Sequence, residues 1–258
     1  MSGGSVRRKY HLYELFSLAA CCLCFFGCGL EEYYVVEAPF IIQQEPKYDS
    51  EFTLRYFDFK TNETKNPNRG YFVFLGTAVY YKIYNRHESI TSVTSALSSA
   101  NNSTDPSYAA TLLKDTYKYK QLGTKTGTVT PLIESNGTDR RIYIRLTNYQ
   151  TDRRYQAKII VGYAGDSSIA PTNVPKRAGN RYSFDFGRDG DNDSASKTLS
   201  STDTDYNYSS SGFSSGYDNT YFVDMYAVSV GLDENYTEQY SKVLHLGTVA
   251  INASSKDN

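Results

Sequence analysis

The chain contains a series of segments in which apolar and polar residues alternate, and this period of two constrains the fold more than any other feature. The densest run, Tyr71 to Tyr84, is rich in aromatic and β-branched residues and predicts a strand buried on both faces, with Gly76 marking a bulge or a break. The runs Tyr221 to Gly231 and Ser241 to Ile251 alternate as clearly, with a polar turn between them. The pattern therefore predicts a mainly β domain.

Shorter segments with the same alternation predict further strands. Ile142 to Leu146 and Ala157 to Val161 flank a polar turn and predict an antiparallel hairpin with one solvent-exposed face. The remaining candidates are a first edge strand within 35–42 and strands over 52–59, 129–134 and 182–186.

The period changes between about residues 87 and 122, where apolar residues recur at helical spacing. Ile90, Val93 and Leu97 predict one short helix. Asp105 as a cap and Pro106 in the first turn predict a second helix that ends before Gly123. Its shared face would contain Tyr108, Leu112, Thr116, Tyr119 and Leu122. We expect both helices to form an insertion between strands.

The two closing strands resemble the F and G strands of fibronectin type III modules, through the Tyr221–Val228 run and the serine that opens the final strand. Val79-Tyr80-Tyr81-Lys82 is similar to the C strand of that family. The sequence has no tryptophan, so Phe57 or Phe59 would replace the family's core tryptophan. The resemblance implies an antiparallel β-sandwich of the fibronectin type III or immunoglobulin-like class over residues 51–258, and leaves the strand order between residues 124 and 163 open.

A second insertion is predicted at about residues 187–220, which are rich in Asp, Ser, Gly and Asn and show no periodicity. This composition predicts a long, mobile, disordered loop. Within it, the Tyr/Ser-rich segment (residues 206–221) combines tyrosine with serine, glycine and asparagine, a mixture typical of binding surfaces. A low-complexity loop without a binding role remains the alternative interpretation.

The start of the chain has the layout of an export signal. Arg7, Arg8 and Lys9 precede an apolar run from Leu15 to Gly27, and no charged residue follows until Glu31. A run of this length is well short of the roughly 20 residues that a membrane-spanning helix requires. We therefore predict that residues 1–27 form a signal peptide and that residues 28–50 form a tether with a possible first edge strand.

The end of this run resembles a bacterial lipoprotein signal, in which the cysteine after the cleavage site becomes the acylated first residue. Gly27 before Cys28 fits that pattern, whereas Phe25 and Phe26 are bulkier than usual, as in the variable signals of spirochaetes. Cys21 is a rival with a better local motif, but cleavage there leaves too short an apolar core. The resemblance implies lipidation at Cys28 and an envelope location, at the outer membrane or the periplasmic face.

The cysteine distribution agrees with this interpretation, because all four cysteines lie between Cys21 and Cys28. A processed chain would keep one, so no disulfide would form, and the apolar core alone would stabilise the domain. The formal net charge of −1 provides no concentrated positive face, which argues against nucleic acid as a partner.

Two patterns suggest chemistry but lack the necessary context. Gly212-Phe213-Ser214-Ser215-Gly216 matches the nucleophile-elbow formula, yet neither a strand precedes it nor a helix follows it. His87 and His245, expected at a strand end and within a strand, have no partner that the sequence indicates. We therefore assign no catalytic or cofactor-binding residue.

An acidic stretch, Asp189 to Asp193, begins like a calcium-binding EF-hand loop. Ser194 and Ser200 replace the glycine and the bidentate glutamate which that loop requires. A solvated turn is favoured over calcium binding, and no metal site is assigned.

Together these features predict a membrane-anchored lipoprotein that acts as a non-enzymatic binding or adhesion module of the cell envelope. Its partners would be the lipid membrane, through acylated Cys28, and a protein or glycan ligand. A structural or assembly component of the periplasmic envelope is the main alternative, and an envelope hydrolase is less favoured.

Overall fold

The alternating segments fold into two main sheets that face each other across one hydrophobic core. The computed structural model describes residues 34–42, 45–124, 131–165, 171–188 and 196–254. From Val35 onward the chain forms one compact unit.

The strands are mostly short, apart from three long ones that dominate the second sheet. They are β1 (Phe40–Ile41), β2 (Phe57–Lys60), β3 (Val73–Tyr84), β4 (Lys120–Gln121), β5 (Gly123–Thr124), β6 (Ile133–Glu134), β7 (Arg141–Arg145), β8 (Lys158–Val161), β9 (Pro175–Lys176), β10 (Tyr206–Asn207), β11 (Thr220–Leu232), β12 (Glu238–Tyr240) and β13 (Leu244–Asn252).

The helical elements are α1 (Glu88–Ala100) and α2 (Tyr108–Thr111), the latter continued by a π-helical turn (Leu112–Thr116). Two 3₁₀ turns complete the set, at Phe52–Leu54 and Arg153–Tyr155.

The first sheet has the order β1-β2-β7-β8, with every pair antiparallel. In the second sheet β3 and β11 are central, β13 and β12 pair with β11, and β4, β6 and β10 pair with β3. Of these pairs only β10 with β3 is parallel. A small third sheet joins β5 to β9. The prediction of a mainly β fold with antiparallel sheets and short helices is therefore confirmed.

The core between the sheets is built from alternate residues of the facing strands. Phe57 and Phe59 of β2 belong to the same buried cluster as Tyr81 of β3 and Val223 of β11. Burial of large side chains from both sheets supplies the main stabilisation.

The densest predicted strand is confirmed as β3, most of whose residues are buried on both faces. It pairs with β11 almost throughout its length, and the register shifts between Val230 and Gly231, opposite Gly76. Gly76 has φ +137°, and a Cβ there would lie 2.1 Å from the Ile133 carbonyl oxygen. The bulge therefore requires glycine, as the sequence indicated.

The β7–β8 hairpin is confirmed, but the prediction of one solvent-exposed face is wrong. The Arg145 and Lys158 side chains, opposite each other on the outer face, are both buried. Arg145 donates hydrogen bonds of 2.7 and 3.0 Å to two carbonyls of the Phe52–Leu54 turn, and its guanidinium lies over the rings of Tyr56 and Tyr155. This turn and these rings cover the face. The alternation therefore predicted the strands correctly but not the solvent exposure of their polar face.

Three other strand predictions need correction. The strand predicted over 52–59 begins only at Phe57, because Phe52–Leu54 forms the 3₁₀ turn. Residues 182–186 form no strand: Tyr182 makes an isolated bridge with Arg177, and Phe184 lies in a turn although it is fully buried. The candidate over 129–134 includes residues outside the described part, and β6 accounts for its last two.

The first helix is confirmed, with Ile90, Val93 and Leu97 all buried. The second is shorter than predicted and presents a different face, since Ala109, Ala110 and Leu113 are buried whereas Tyr108 is 45% exposed. The π-helical turn ends at Thr116, and the chain then returns to the edge of β3 as β4. Both helices pack on the outer face of the second sheet, so they have their own apolar core.

Candidate functional site

The domain has two distinct ends along the axis of β3. At the proximal end, near the start of β3, the Asn66 side chain accepts a 2.8 Å hydrogen bond from the Glu37 backbone, and Asn68 accepts one of 2.8 Å from Phe74. At the distal end, the last residue of β3, Tyr84, pairs with Phe222 near the start of β11. The chain therefore enters the domain at the proximal end, while the segments that follow β3 and precede β11 meet at the distal end.

The Tyr/Ser-rich segment is held at the distal end by one buried side chain, Asn85. Its amide nitrogen donates to the carbonyls of Ser209 (2.9 Å) and Gly212 (2.8 Å), and its oxygen accepts from the Ser209 backbone (2.8 Å). Because β10 also pairs with β3, the prediction of a mobile, disordered loop over 187–220 is wrong for the described residues 196–220. The polar groups of this segment are hydrogen-bonded to the domain, because an asparagine side chain can satisfy irregular backbone groups as readily as water does.

Ser214, the central serine of the nucleophile-elbow pattern, has a structural role. It is buried, its hydroxyl accepts from the His87 backbone (3.0 Å) and it donates to the Glu88 carboxylate (2.7 Å). This hydrogen bond holds the pKa of Glu88 below its ordinary value. Ser214 therefore ties the segment to the first turn of α1, and its proton is engaged with a carboxylate rather than with a histidine base.

Four rings form a distal aromatic cluster, which consists of Tyr48, His87, Tyr217 and Phe222. The Tyr48 and His87 rings are stacked with their centroids 4.0 Å apart, and Phe222 meets both edge-on at 5.8 and 5.4 Å. The Tyr217 ring contacts the other three at 5.4 to 5.9 Å. Phe222 is buried, whereas Tyr48, His87 and Tyr217 are partly exposed, so the cluster presents rings to solvent on a fixed base.

A cleft of about 240 Å³ lies beside this cluster. The Tyr48 and His87 rings and Ile90 form its apolar wall, and α1 contributes hydroxyl groups from Thr91, Thr94 and Ser95, with Thr248 of β13 also lining it. The arrangement places rings next to hydroxyl donors and acceptors, which suits a ligand with an apolar face and a polar edge.

A charged network lies directly behind Thr248. Asp224 of β11 is fully buried and accepts hydrogen bonds from Thr248 (2.7 Å), from the Tyr119 hydroxyl (2.6 Å) and from His245 Nε2 (2.8 Å). The other ring nitrogen of His245 lies 2.9 Å from the Glu45 carboxylate. Burial alone would lower the pKa of His245, but the attraction and hydrogen bond of Asp224 outweigh it and, with Glu45, raise the pKa to about 10.

The histidine in this network has no free lone pair for proton transfer while it is protonated, because both ring nitrogens then donate to carboxylates. Burial and the nearby Asp224 also raise the pKa of Tyr119 well above its ordinary value, so this phenol stays a hydrogen-bond donor. The geometry thus fits a structural tie between β11, β13 and the chain before Tyr48.

A second buried network holds the residue that immediately precedes the Tyr/Ser-rich segment, Asp205. The Tyr81 hydroxyl donates to Asp205 (2.8 Å) and accepts from the Ala178 backbone (2.9 Å). Arg177, also buried, lies 3.4 Å from Asp205 and over the Tyr182 ring. These contacts attach residues on both sides of 189–195 to β3, one of the two central strands of the second sheet.

A larger cleft, of about 620 Å³, is at the proximal end and is lined mainly by polar residues. Its buried carboxylate, Glu63, accepts from Arg140 (2.7 Å) and from the backbones of Asn136 and Gly137 (2.7 and 2.9 Å). Burial alone would raise the pKa of Glu63, yet these hydrogen bonds hold it below the ordinary value. The carboxylate is therefore satisfied within the domain, and we regard the distal end as the better candidate site.

Several of the sites predicted from the sequence lie outside the residues that the structure describes. Cys28, its rival Cys21 and the whole predicted signal peptide lie outside the described residues, as does the acidic stretch Asp189 to Asp193. Among the described residues, no group of three or more His, Cys, Asp or Glu side chains is arranged to hold a metal ion. Within the described residues, no helix combines the length and the apolar character that spanning a bilayer requires.

Sequence reasoning missed the residues that organise the distal end. Asn85 follows a strand and resembles any turn asparagine, and Glu45 lies 200 residues from His245. The one usable signal was Asp224, a charged residue within a strand that is otherwise mostly apolar, since a buried carboxylate requires partners. Comparison with family models, with curated proteins and with solved structures finds no match for this chain.

Proposed function

We propose that this protein is a lipid-anchored, non-enzymatic binding or adhesion module of the cell envelope, whose distal end contacts a protein or glycan ligand. The observation that carries the proposal is the distal aromatic cluster beside its cleft, located at the end of the domain opposite the point where the chain enters. A tethered module gains reach when its contact surface lies away from the tether.

The anchor in this proposal is Cys28, for which the support is the export-like run and the lipoprotein-like cleavage site in the sequence. One acyl chain gives only marginal membrane binding, whereas the several chains of an acylated cysteine hold a domain stably at a bilayer. The location would then be the outer membrane or the periplasmic face.

The fold in this proposal is a β-sandwich of the fibronectin type III or immunoglobulin-like class. Support comes from the shared core and from the order β3-β11-β13, which corresponds to the C-F-G order of that class. One feature differs. In the A-B-E-D sheet of that class, strand E lies between B and D although it follows D in the chain. Here β7 lies between β2 and β8 and precedes β8 in the chain. The domain would thus be a variant in which the last two strands of this sheet have exchanged positions.

A non-enzymatic role is favoured by how the reactive side chains are used. The Ser214 hydroxyl is committed to Glu88, and the two nitrogens of His245 lie against Asp224 and Glu45. A nucleophile and base pair would need these groups within reach of each other and of a substrate.

The ligand class follows from the surface chemistry of the distal end. Tyrosine rings provide a rigid apolar face with little loss of side-chain entropy, and the neighbouring hydroxyl groups provide adaptable hydrogen bonds. Sugar rings and peptide side chains both combine an apolar face with a polar edge, so a glycan or a protein fits the cleft.

The test is capture of ligands by cells that display the full-length protein, using a glycan array and a panel of immobilised extracellular proteins as probes. Deletion of residues 203–218 would also remove Asp205 and Ser214, which the domain needs, so point substitutions are preferable. Tyr208 follows Asn207, which pairs with Tyr84 at the distal end, and it is 52% exposed. We expect Tyr48→Ser combined with Tyr208→Ser to weaken capture by about tenfold or more, because aromatic residues at an interface often dominate its binding energy.

The matched control is Tyr108→Ser, which removes a tyrosine of comparable exposure (45% against 52% for Tyr208) from α2. Capture that is unchanged in the distal variant, or equally reduced in the control, would remove the distal end from the proposal. Protease treatment of intact cells distinguishes a surface adhesin, which is cleaved, from a periplasmic assembly component, which is protected.

A further inference from the structure

The two most exposed large apolar side chains in the described part of the chain lie at the proximal end. Tyr236 is 84% exposed and Tyr71 is 76% exposed. Tyr71 precedes β3 and Tyr236 follows β11, and these strand ends are neighbours because Val73 pairs with Leu232. Val73 itself is 45% exposed, and we refer to these three exposed residues at the neighbouring strand ends as the proximal apolar patch.

Tight turns fix the position of this patch. Phe72 exchanges backbone hydrogen bonds of 2.8 and 3.1 Å with Arg69, and its ring packs so closely on β11 that a Cβ at Gly231 would lie 2.3 Å from it. On the other side, the Tyr236 backbone donates to the Asp233 carbonyl at 3.0 Å. The two tyrosines are therefore displayed on turns that backbone hydrogen bonds hold in place.

The position of the chain start indicates what this surface meets. Val35, also exposed, leads into the Glu37–Asn66 contact at the same end. Cys28 and Tyr34 are six residues apart in the sequence, so even a fully extended chain between them spans only about 20 Å. If Cys28 is acylated, the proximal end is held within that distance of the bilayer.

The chemistry of the patch fits the bilayer surface. Tyrosine side chains favour the headgroup region because the ring is apolar and the hydroxyl is polar. Lys65 and Arg69 are exposed in the preceding turn and can face lipid phosphates, whereas Glu37 and Glu234 are exposed and Asp233 is partly exposed, so this end has no excess of positive charge to attract it to lipid. The tyrosine rings would then dominate contact with lipid.

We infer that the proximal apolar patch rests on the surface of the membrane to which the chain is tethered, with Tyr71 and Tyr236 at headgroup level. The inference depends on the anchor in the proposed function. It adds an orientation to that function, since a domain standing on its proximal end directs the distal aromatic cluster away from the bilayer.

The experiment uses the full-length, processed protein in phosphatidylcholine–phosphatidylglycerol vesicles. Acylation blocks the Cys28 sulfur and processing removes the other three cysteines, so Tyr236→Cys and Tyr71→Cys each introduce one site for a fluorescent label. Tyr208→Cys, at the distal end, is the matched control. We expect quenching by a nitroxide attached near the lipid headgroup to be at least about twofold stronger at the two proximal sites than at the control.

Equal or absent quenching at the proximal sites, in protein whose mass shows acylated Cys28, would overturn the inference and leave the anchor intact. Absent quenching together with disulfide-linked dimers of the Tyr236→Cys variant would assign the patch to a second copy of the chain, and would also overturn it. A mass without acyl groups would overturn the anchor, and the orientation with it.

Discussion

Substitution of His245 tests whether the charged network behind the distal cleft stabilises the domain. In His245→Gln, the fully buried Asp224 carboxylate loses its cationic partner, while the hydroxyl hydrogen bonds of Tyr119 and Thr248 remain. Breaking a buried ion pair from one side costs about 3 to 5 kcal/mol. The His245 side chain is 23% exposed and the two hydroxyls remain, so we expect a loss near the lower limit, about 3 kcal/mol.

A double-mutant cycle assigns this loss to the pair. Asp224→Asn in the His245→Gln background removes the uncompensated charge, so the double variant should be more stable than the sum of the single effects predicts, by about 2 kcal/mol. The control is His87→Gln, which changes a histidine in the distal aromatic cluster and should combine additively with Asp224→Asn. Urea unfolding followed by circular dichroism measures each free energy of unfolding.

The pH dependence provides an independent readout of the same pair. The folded-state pKa of His245 is raised to about 10 from the ordinary 6.5, so the folded protein binds more protons than the unfolded chain between these values. The stabilisation is therefore complete below pH 6.5 and is lost as the pH rises through 10. The free energy of unfolding should fall over this window in the wild type and much less in His245→Gln. Additive single effects, or equal pH slopes in the two proteins, would show that the His245–Asp224 pair does not stabilise the domain.

Three further substitutions test other parts of the structure. Arg145→Lys removes the guanidinium that donates to two backbone carbonyls, and we expect a loss of about 2 kcal/mol in the urea unfolding free energy, a change below about 0.5 kcal/mol counting against the assigned role. Asn85→Ala removes three hydrogen bonds to the Tyr/Ser-rich segment, so limited proteolysis should cut that segment faster while the rest of the domain stays intact; an unchanged cleavage pattern would contradict this. Gly76→Ala should cost more than about 2 kcal/mol, because its Cβ would overlap the Ile133 carbonyl, whereas Gly137→Ala shares a positive φ but meets open space and should cost clearly less in thermal unfolding.

The sequence predicted well wherever one residue's environment follows from its neighbours along the chain. The strands β3, β11 and β13 and the hairpin of β7 with β8 were visible because side chains in a strand alternate between faces. The buried face of α1 was visible for the corresponding reason at helical spacing.

The errors arose where distant parts of the chain decide the outcome. The outer face of β7 is covered by a turn that lies more than 90 residues earlier in the chain, so the alternating polar residue Arg145 appeared exposed. The Tyr/Ser-rich segment appeared disordered because its order comes from Asn85, 124 residues away from Ser209. The same separation hid the link between His245 and Glu45. Composition reports how polar a segment is, but tertiary contacts decide whether water or protein satisfies its polar groups.

The proposed roles of the two ends of the domain depend on one covalent modification, the acylation of Cys28. The proximal patch contacts lipid only if the chain is anchored close to Val35, and the distal cluster points outward only if the proximal end faces the bilayer. The anchor and the proposed orientation therefore both depend on acylation of Cys28.

The most direct test is the intact mass of the mature protein, with the modified residue located by fragmentation of its N-terminal peptide. We expect a chain that begins at Cys28 and carries acyl groups on that residue. A mature chain with an unmodified Cys28, or with the acyl groups on Cys21, would contradict this expectation.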